Sequence, residues 1–145
     1  HTFLCIPIDN YFSYEFGKLP YRSILFSNKR ERINLDASVI NFTDENKFTR
    51  KTQWSLLPNS KTKDGDVNTI TYEEPCPIEM NPDEYYYPVQ TKYSKLIYEK
   101  YKLLAKKKNN ITFCGRTGLF RYIDMIPAVM IHMKIAKNFI LKNIR

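Results

Sequence analysis

Glycine is scarce in this chain. It has four in 145 residues, and none forms Gly-x-Gly-x-x-Gly, so no dinucleotide-binding fingerprint can be placed. Cys5, Cys76 and Cys114 are odd in number and far apart in sequence, without a Cys-x-x-Cys. A disulfide framework or a zinc site is therefore not expected, and a reducing cytoplasm is the default setting. Histidine is limited to His1 and His132, too few for a histidine-based metal site or a Ser-His-Asp triad, so no metal is expected. No uninterrupted apolar run reaches the roughly 18 residues of a membrane span, and no signal peptide is visible.

What the chain has in quantity is aromatic rings and positive charge. Eleven Tyr and nine Phe make burial of a real core feasible. Lys and Arg total 23 against 15 Asp and Glu, a net charge of +8. That balance favours an anionic partner, whether nucleic acid, membrane surface or phosphorylated small molecule, and charge alone does not choose among them. The length fits a single domain over 1–145. The chain opens on His1 without an initiator Met, and TFLCIPI reads as a strand. The expectation is a piece of a longer polypeptide.

In chain order, Thr2–Ile6 reads as a strand closed by Pro7. Ile8 to Pro20 reads as a compact turn or short helix with aromatic anchors. Tyr21–Ser27 alternates as a strand with Ile24 and Phe26 on one face, and Asn28–Asn34 as a hairpin end. Ala37–Phe42 and Phe48–Leu57 read as strands, the second centred on Arg50 and Trp54. Asn59–Asp66 is a loop with Asp64-Gly65 at its tip, across which Val67–Glu73 pairs with the preceding strand. The pattern suggests an antiparallel meander. Pro75–Pro82 reads as a proline-broken connection. Thr91–Lys106 is helical, with Leu96, Ile97, Leu103 and Leu104 as its apolar side. Its closing run, Lys106 to Lys108, reads as a solvated helix end.

Ile111 to Met125, ITFCGRTGLFRYIDM, combines a short strand, a basic turn bracketed by Gly115 and Gly118, and Asp124 as N-cap of a helix from Met125 to Asn143. That helix is apolar on more than one face and calls for cover beyond a single sheet. A strand–glycine turn–helix start aims backbone N–H groups at an anion or an electron-rich ring. Arg116 adds a planar fork suited to phosphate. The plainer alternative is a tight turn with a solvated arginine. Arg50 is likewise either a phosphate ligand or half of a cross-strand pair with a carboxylate. Trp54 and Tyr85–Tyr87 could stack bases, but tyrosine-rich strands are commonly half-buried sheet, so nucleic acid is the weakest reading.

Four collinear blocks carry a family resemblance. PIDNYFSYEFGKLPYRSILF (Pro7–Phe26), VINFTDENKFTR (Val39–Arg50), YYPV (Tyr86–Val89) and GRTGLFRYIDM (Gly115–Met125) resemble blocks in the C-terminal part of UDP-galactopyranose mutase. The resemblance implies an isomerase that interconverts UDP-galactopyranose and UDP-galactofuranose through an adduct at N5 of reduced FAD, with UDP-galactose as substrate and lipopolysaccharide or polysaccharide precursor synthesis as setting. It places diphosphate-binding roles on Arg50, Tyr87 and Tyr122, flavin contact on Arg116 and Gly115, and a catalytic position beside sugar and flavin on Asp124. Departures are Ile6 and Cys114, where the family has glycine, and Phe120 and Ile123, where it has tyrosine. Larger parts of the family enzyme precede the matched blocks, so the chain alone is expected neither to retain FAD nor to turn over.

The expected fold is α+β: a mostly antiparallel sheet, a mid-chain helix near residue 98 and a long C-terminal helix beside the strand at Ile111, forming part of the FAD/substrate domain of a flavoenzyme. Residues 1–90 would be the sheet-rich substrate side and 91–145 the helix-strand-helix flavin side. The alternatives are a catalytically incomplete binding module derived from that enzyme, or a basic nucleic-acid binder. The apolar surface of Met130, Met133 and Phe139 is expected to make a homo-oligomer or to await a missing partner segment.

Overall fold

The periodicities of the sequence become strands and helices close to where they are expected. The computed structural model describes residues 1–61 and 67–143; the tip expected at Asp64-Gly65 lies outside them. The elements are β1 (Thr2–Leu4), α1 (Ile8–Tyr11), β2 (Tyr21–Glu31), β3 (Val39–Asn41), β4 (Arg50–Gln53), β5 (Asn68–Pro77), β6 (Tyr87–Pro88), α2 (Lys92–Lys106), β7 (Ile111–Phe113), α3 (Gly115–Gly118) and α4 (Met125–Asn143). They form two units, His1–Tyr21 with Tyr87–Arg145, and Arg22–Tyr86.

The second unit is sheet. Strand order is β3-β4-β5-β2, and the β2–β5, β3–β4 and β4–β5 pairs are all antiparallel. This is a Greek-key order, not the simple meander the sequence suggests, because β2 returns to lie beside β5. β2 runs on to Glu31, through residues expected to turn, since the long register from Arg22↔Pro77 to Glu31↔Asn68 keeps its backbone paired. β5 in turn runs through Pro75 to Pro77, where a break was expected. β4 pairs only with residues 70–73 of β5, so these prolines sit beyond its reach, where a missing N–H costs little. Ile24 is buried as its pattern requires, but Phe26 on the same face is 56% exposed.

β4 stops at Gln53, short of the Leu57 boundary, and Trp54–Leu56 forms a 3₁₀ turn. Gln53 is fully buried. Its Oε1 accepts from Leu35 N–H at 2.8 Å, and its Nε2 donates to Asn34 Oδ1 at 2.7 Å and Ser55 Oγ at 2.9 Å. One amide thereby satisfies three partners and turns the chain out of the ladder.

The first unit pairs β1 with β7 in parallel, Thr2↔Ile111 to Leu4↔Phe113. α2 begins with a capping box: Thr91 Oγ1 accepts from Ser94 N–H at 3.0 Å, and Ser94 Oγ accepts from Thr91 N–H at 2.8 Å. Its buried stripe is Ser94, Ile97 and Tyr101, while Leu96 and Leu103, expected inside, are exposed. The Tyr101 hydroxyl accepts from Phe16 N–H at 2.9 Å and donates to Gly17 O at 2.8 Å. That docks the turn after α1, in which Gly17 takes a φ of +93°, onto this face of the helix. Ile8, Leu19, Tyr21, Phe113, Phe120 and Ile123 complete the core.

The cover expected over α4 is not supplied within the described residues. None of its described side chains is buried, and Met125, Ile126, Val129, Met130 and Met133 are 59–83% exposed. The helix attaches by one side only. The Phe139 ring lies 4.6 Å from that of His1 and 5.3 Å from that of Phe3.

Candidate functional site

β7 delivers the chain into the corner singled out by the sequence. Cys114 is extended, Gly115 turns at φ +73°, and one helical turn closes with Leu119 N–H donating to Gly115 O at 3.0 Å. Only glycine enters this turn without strain. A Cβ at Gly115 would stand 3.3 Å from Cys5 Cβ, and one at Gly118 3.0 Å from Leu4 O. The corner is thus set directly on β1. Thr117 Oγ1 donates to Cys5 O at 3.0 Å, and Tyr21 Oη donates to Thr117 O at 3.1 Å.

Three of the anticipated site residues meet beside Gly115. Arg116 Nε donates to Ile123 O at 2.7 Å, and its guanidinium lies 5.1 Å from the centroid of the Tyr122 ring. A cation over a ring face and one fixed N–H hold the fork in place. Tyr122, 58% exposed, meets Tyr87 edge-on with centroids 6.0 Å apart. Asp124 is exposed, and its carbonyl accepts from Ala128 N–H at 2.9 Å, which makes it the N-cap position of α4.

One donor is already engaged. The Gly115 N–H, which the turn geometry would offer to an anion, donates to His132 Nε2 at 2.7 Å. Nδ1 of that ring lies against Ala128 O. A ring that accepts at Nε2 carries its proton at Nδ1 and donates it to the helix carbonyl. His132 therefore fixes the first turns of α4 to the glycine corner. The sequence offered no signal for it beyond a histidine on an apolar helix.

The departures from the family pattern fall mainly on the interior. Cys114 is 6% exposed, with its Sγ turned toward Cys5 Sγ and Leu4 O. Phe120 and Ile123 are 1% and 3% exposed, with the Phe120 ring against Tyr21 and Tyr98. Burial, then the Glu99 charge, pushes the Tyr98 hydroxyl up to about 12. Ile6 is 40% exposed.

Arg50 belongs to the other unit. It sits opposite Asn41 on one side and Glu73 on the other. Its Nε donates to Asn41 Oδ1 at 2.9 Å, and Nη1 lies 3.6 Å from Glu73 Oε2. Here the plainer of the two alternatives, a cross-strand pair with a carboxylate, is what the sheet forms. Trp54 turns its Nε1–H to Thr71 Oγ1, which anchors the indole at the sheet.

Comparison with known proteins defines the class. The sequence profile described as UDP-galactopyranose mutase matches residues 1–122, so the chain belongs to the UDP-galactopyranose mutase family. Among its relatives, it is 30% identical over 142 residues to a probable UDP-galactopyranose mutase of Klebsiella pneumoniae, covering 97% of this chain and 36% of the relative. It is 31% identical over 146 residues to the dTDP-fucopyranose mutase of Escherichia coli, covering 99% and 38%. A UDP-galactopyranose mutase of Mycoplasma genitalium is 29% identical over 141 residues, covering 94% and 35%. The chain spans a little over a third of the length of these relatives.

Proposed function

We propose that the chain is the C-terminal portion of a mutase that interconverts the pyranose and furanose forms of UDP-galactose, and that the corner at Gly115 is its flavin-facing element. The observation that carries this is the grouping of Arg116, Tyr122 and Tyr87 beside the glycine turn, with the Tyr122 ring left 58% exposed.

The residues present fit FAD. The cysteine that replaces a family glycine at position 114 turns inward, so it adds no exposed side chain at the corner. Gly115 and Arg116 would hold the cofactor. When bound, FAD supplies the reduced N5 that acts as nucleophile toward the anomeric carbon. The protein's share is position and electrostatics. Arg116, pinned by Ile123 O and Tyr122, presents its fork without further ordering cost. Tyr87 and Tyr122 would offer phenol donors to the diphosphate, a role the family resemblance also gives to Arg50, whose guanidinium contacts Asn41 and Glu73. Asp124 would offer an exposed carboxylate to the sugar. It sits at a helix start, where negative charge is favoured.

A dTDP-sugar is the second substrate reading, since the dTDP-fucopyranose mutase is as similar as the UDP-galactopyranose mutases. The polypeptide that carries this segment, purified and scanned in the visible range, is expected to hold bound flavin, and Arg116→Ala to lose most of it. Full flavin retention by Arg116→Ala overturns the assignment of that residue. A colourless natural polypeptide favours a non-catalytic binding module.

A further inference from the structure

Cys5 and Cys114 lie far apart in sequence, yet their Sγ atoms are 3.2 Å apart. The reason is register. β1 and β7 run parallel with Leu4 opposite Phe113, so the next residue of each strand is a cysteine facing a cysteine. Neighbouring parallel strands set Cα atoms at about 4.8 Å, inside the window of roughly 4.4–6.8 Å that a disulfide needs. Gly115 makes the approach possible, because a side chain there would press on Cys5 Cβ. Both thiols are free; Cys5 is exposed, whereas Cys114 and Cys76 are buried.

We infer that Cys5 and Cys114 form a dithiol site that closes reversibly to a disulfide by exchange with a low-molecular-weight disulfide, stapling the end of β1 to the glycine corner. The exposed Cys5 thiolate attacks one sulfur of the small disulfide; that S–S bond breaks, and a thiolate leaves with the electron pair. Cys114 then gives up its proton to the solvent and attacks Cys5 Sγ, expelling the second small thiol. Two protein thiols are oxidised by two electrons, and one small disulfide is reduced to two thiols. Burial, together with the hydrogen bond and charge of Cys5, pushes the Cys114 thiol up to about 11. Cys114 is therefore the resolving partner and not the entry point. The closure brings no new residue together, so the staple stiffens a contact already made.

The test is incubation of the chain with excess oxidised glutathione, acid quench, alkylation under denaturing conditions, and intact-mass and peptide mapping. The expected result is a species short of two hydrogens in which a Cys5–Cys114 peptide pair is linked and Cys76 alone is alkylated. Dithiothreitol then returns all three thiols to alkylation. Thermal unfolding of the oxidised chain shifts upward. Cys114→Ser should stop at a stable glutathione adduct on Cys5, and Cys5→Ser should leave Cys114 unmodified. A stable glutathione adduct on Cys5 of the unaltered chain, or a disulfide-linked dimer through Cys5, overturns the inference. So does a linkage that involves Cys76.

Discussion

Tyr101→Phe removes one oxygen atom and leaves the packing of the helical face intact, which makes its effect calculable. Tyr101 is fully buried. Its hydroxyl accepts from Phe16 N–H at 2.9 Å and donates to Gly17 O at 2.8 Å. Burial, outweighing the opposing bond from Phe16, holds this phenol above its ordinary value of 10.0, so it keeps the proton it donates. The substitution strands both backbone groups. Gly17 is exposed, and its carbonyl can return to water, which limits that loss to a net hydrogen bond of about 1 kcal/mol. Phe16 is only partly exposed, and its N–H bears a desolvation cost of about 1–2 kcal/mol. The sum is about 2–3 kcal/mol, with no cavity contribution, because the ring stays. In equilibrium urea unfolding followed by far-ultraviolet circular dichroism, the midpoint should fall by about 1 M at an unchanged slope. A loss below about 0.5 kcal/mol would refute the reasoning, since it would mean the turn after α1 is not held by this hydroxyl.

Three further predictions concern the same unit. Asp9 is buried, with Oδ2 accepting from Leu19 N–H at 2.8 Å and Oδ1 without a hydrogen-bond partner among the described residues. Desolvation raises its carboxyl above 3.8, outweighing the Leu19 bond and the Lys18 charge, so the folded state binds the proton more tightly than the unfolded state. The stability of the chain relative to Asp9→Asn should be greatest below 3.8 and should fall as pH rises through the raised folded value. A flat or rising difference in denaturant titrations across that window contradicts this. Gly118→Ala places a methyl 3.0 Å from Leu4 O and should cost about 1–3 kcal/mol in thermal unfolding; an unchanged midpoint means the corner does not rest on β1. The uncovered face of α4 should make the average mass in light scattering rise with concentration, and a Met130→Lys, Met133→Lys variant should suppress the rise. A clean monomer of the unaltered chain at high concentration counts against it.

The elements legible in the sequence were those set by local chemistry. The helical spacing of Thr91–Lys106 announces α2, and the β-branched run at Ile111 announces β7. Alternation marks β2 and β5. What could not be read is what depends on partners distant in sequence. The Greek-key return of β2, the passage of Pro75 and Pro77 through a strand, and the end of β4 at Gln53 all follow from which backbone groups find partners across the sheet. The stripe of α2 was misplaced because hydrophobicity favours Leu96 and Leu103, whereas the turn at Gly17 selects the hydroxyl of Tyr101. At the candidate site, Arg116 and Tyr87 both lie against the Tyr122 ring. His132 and the Cys5–Cys114 pair stayed hidden, since only strand register and helix docking bring them to Gly115.

The central claim proposed for the sheet is that Arg50 on β4 binds the diphosphate of a nucleotide sugar. It is tested most directly by turnover of UDP-galactofuranose to UDP-galactopyranose by the dithionite-reduced natural polypeptide, resolved chromatographically, for the unaltered protein and Arg50→Ala. A charge-assisted contact to the diphosphate is worth about 1.5–3 kcal/mol. Arg50→Ala should therefore keep its flavin and lose roughly 10- to 100-fold in kcat/KM. A variant that retains both flavin and the full rate would show Arg50 to be a sheet residue paired with Glu73 and nothing more.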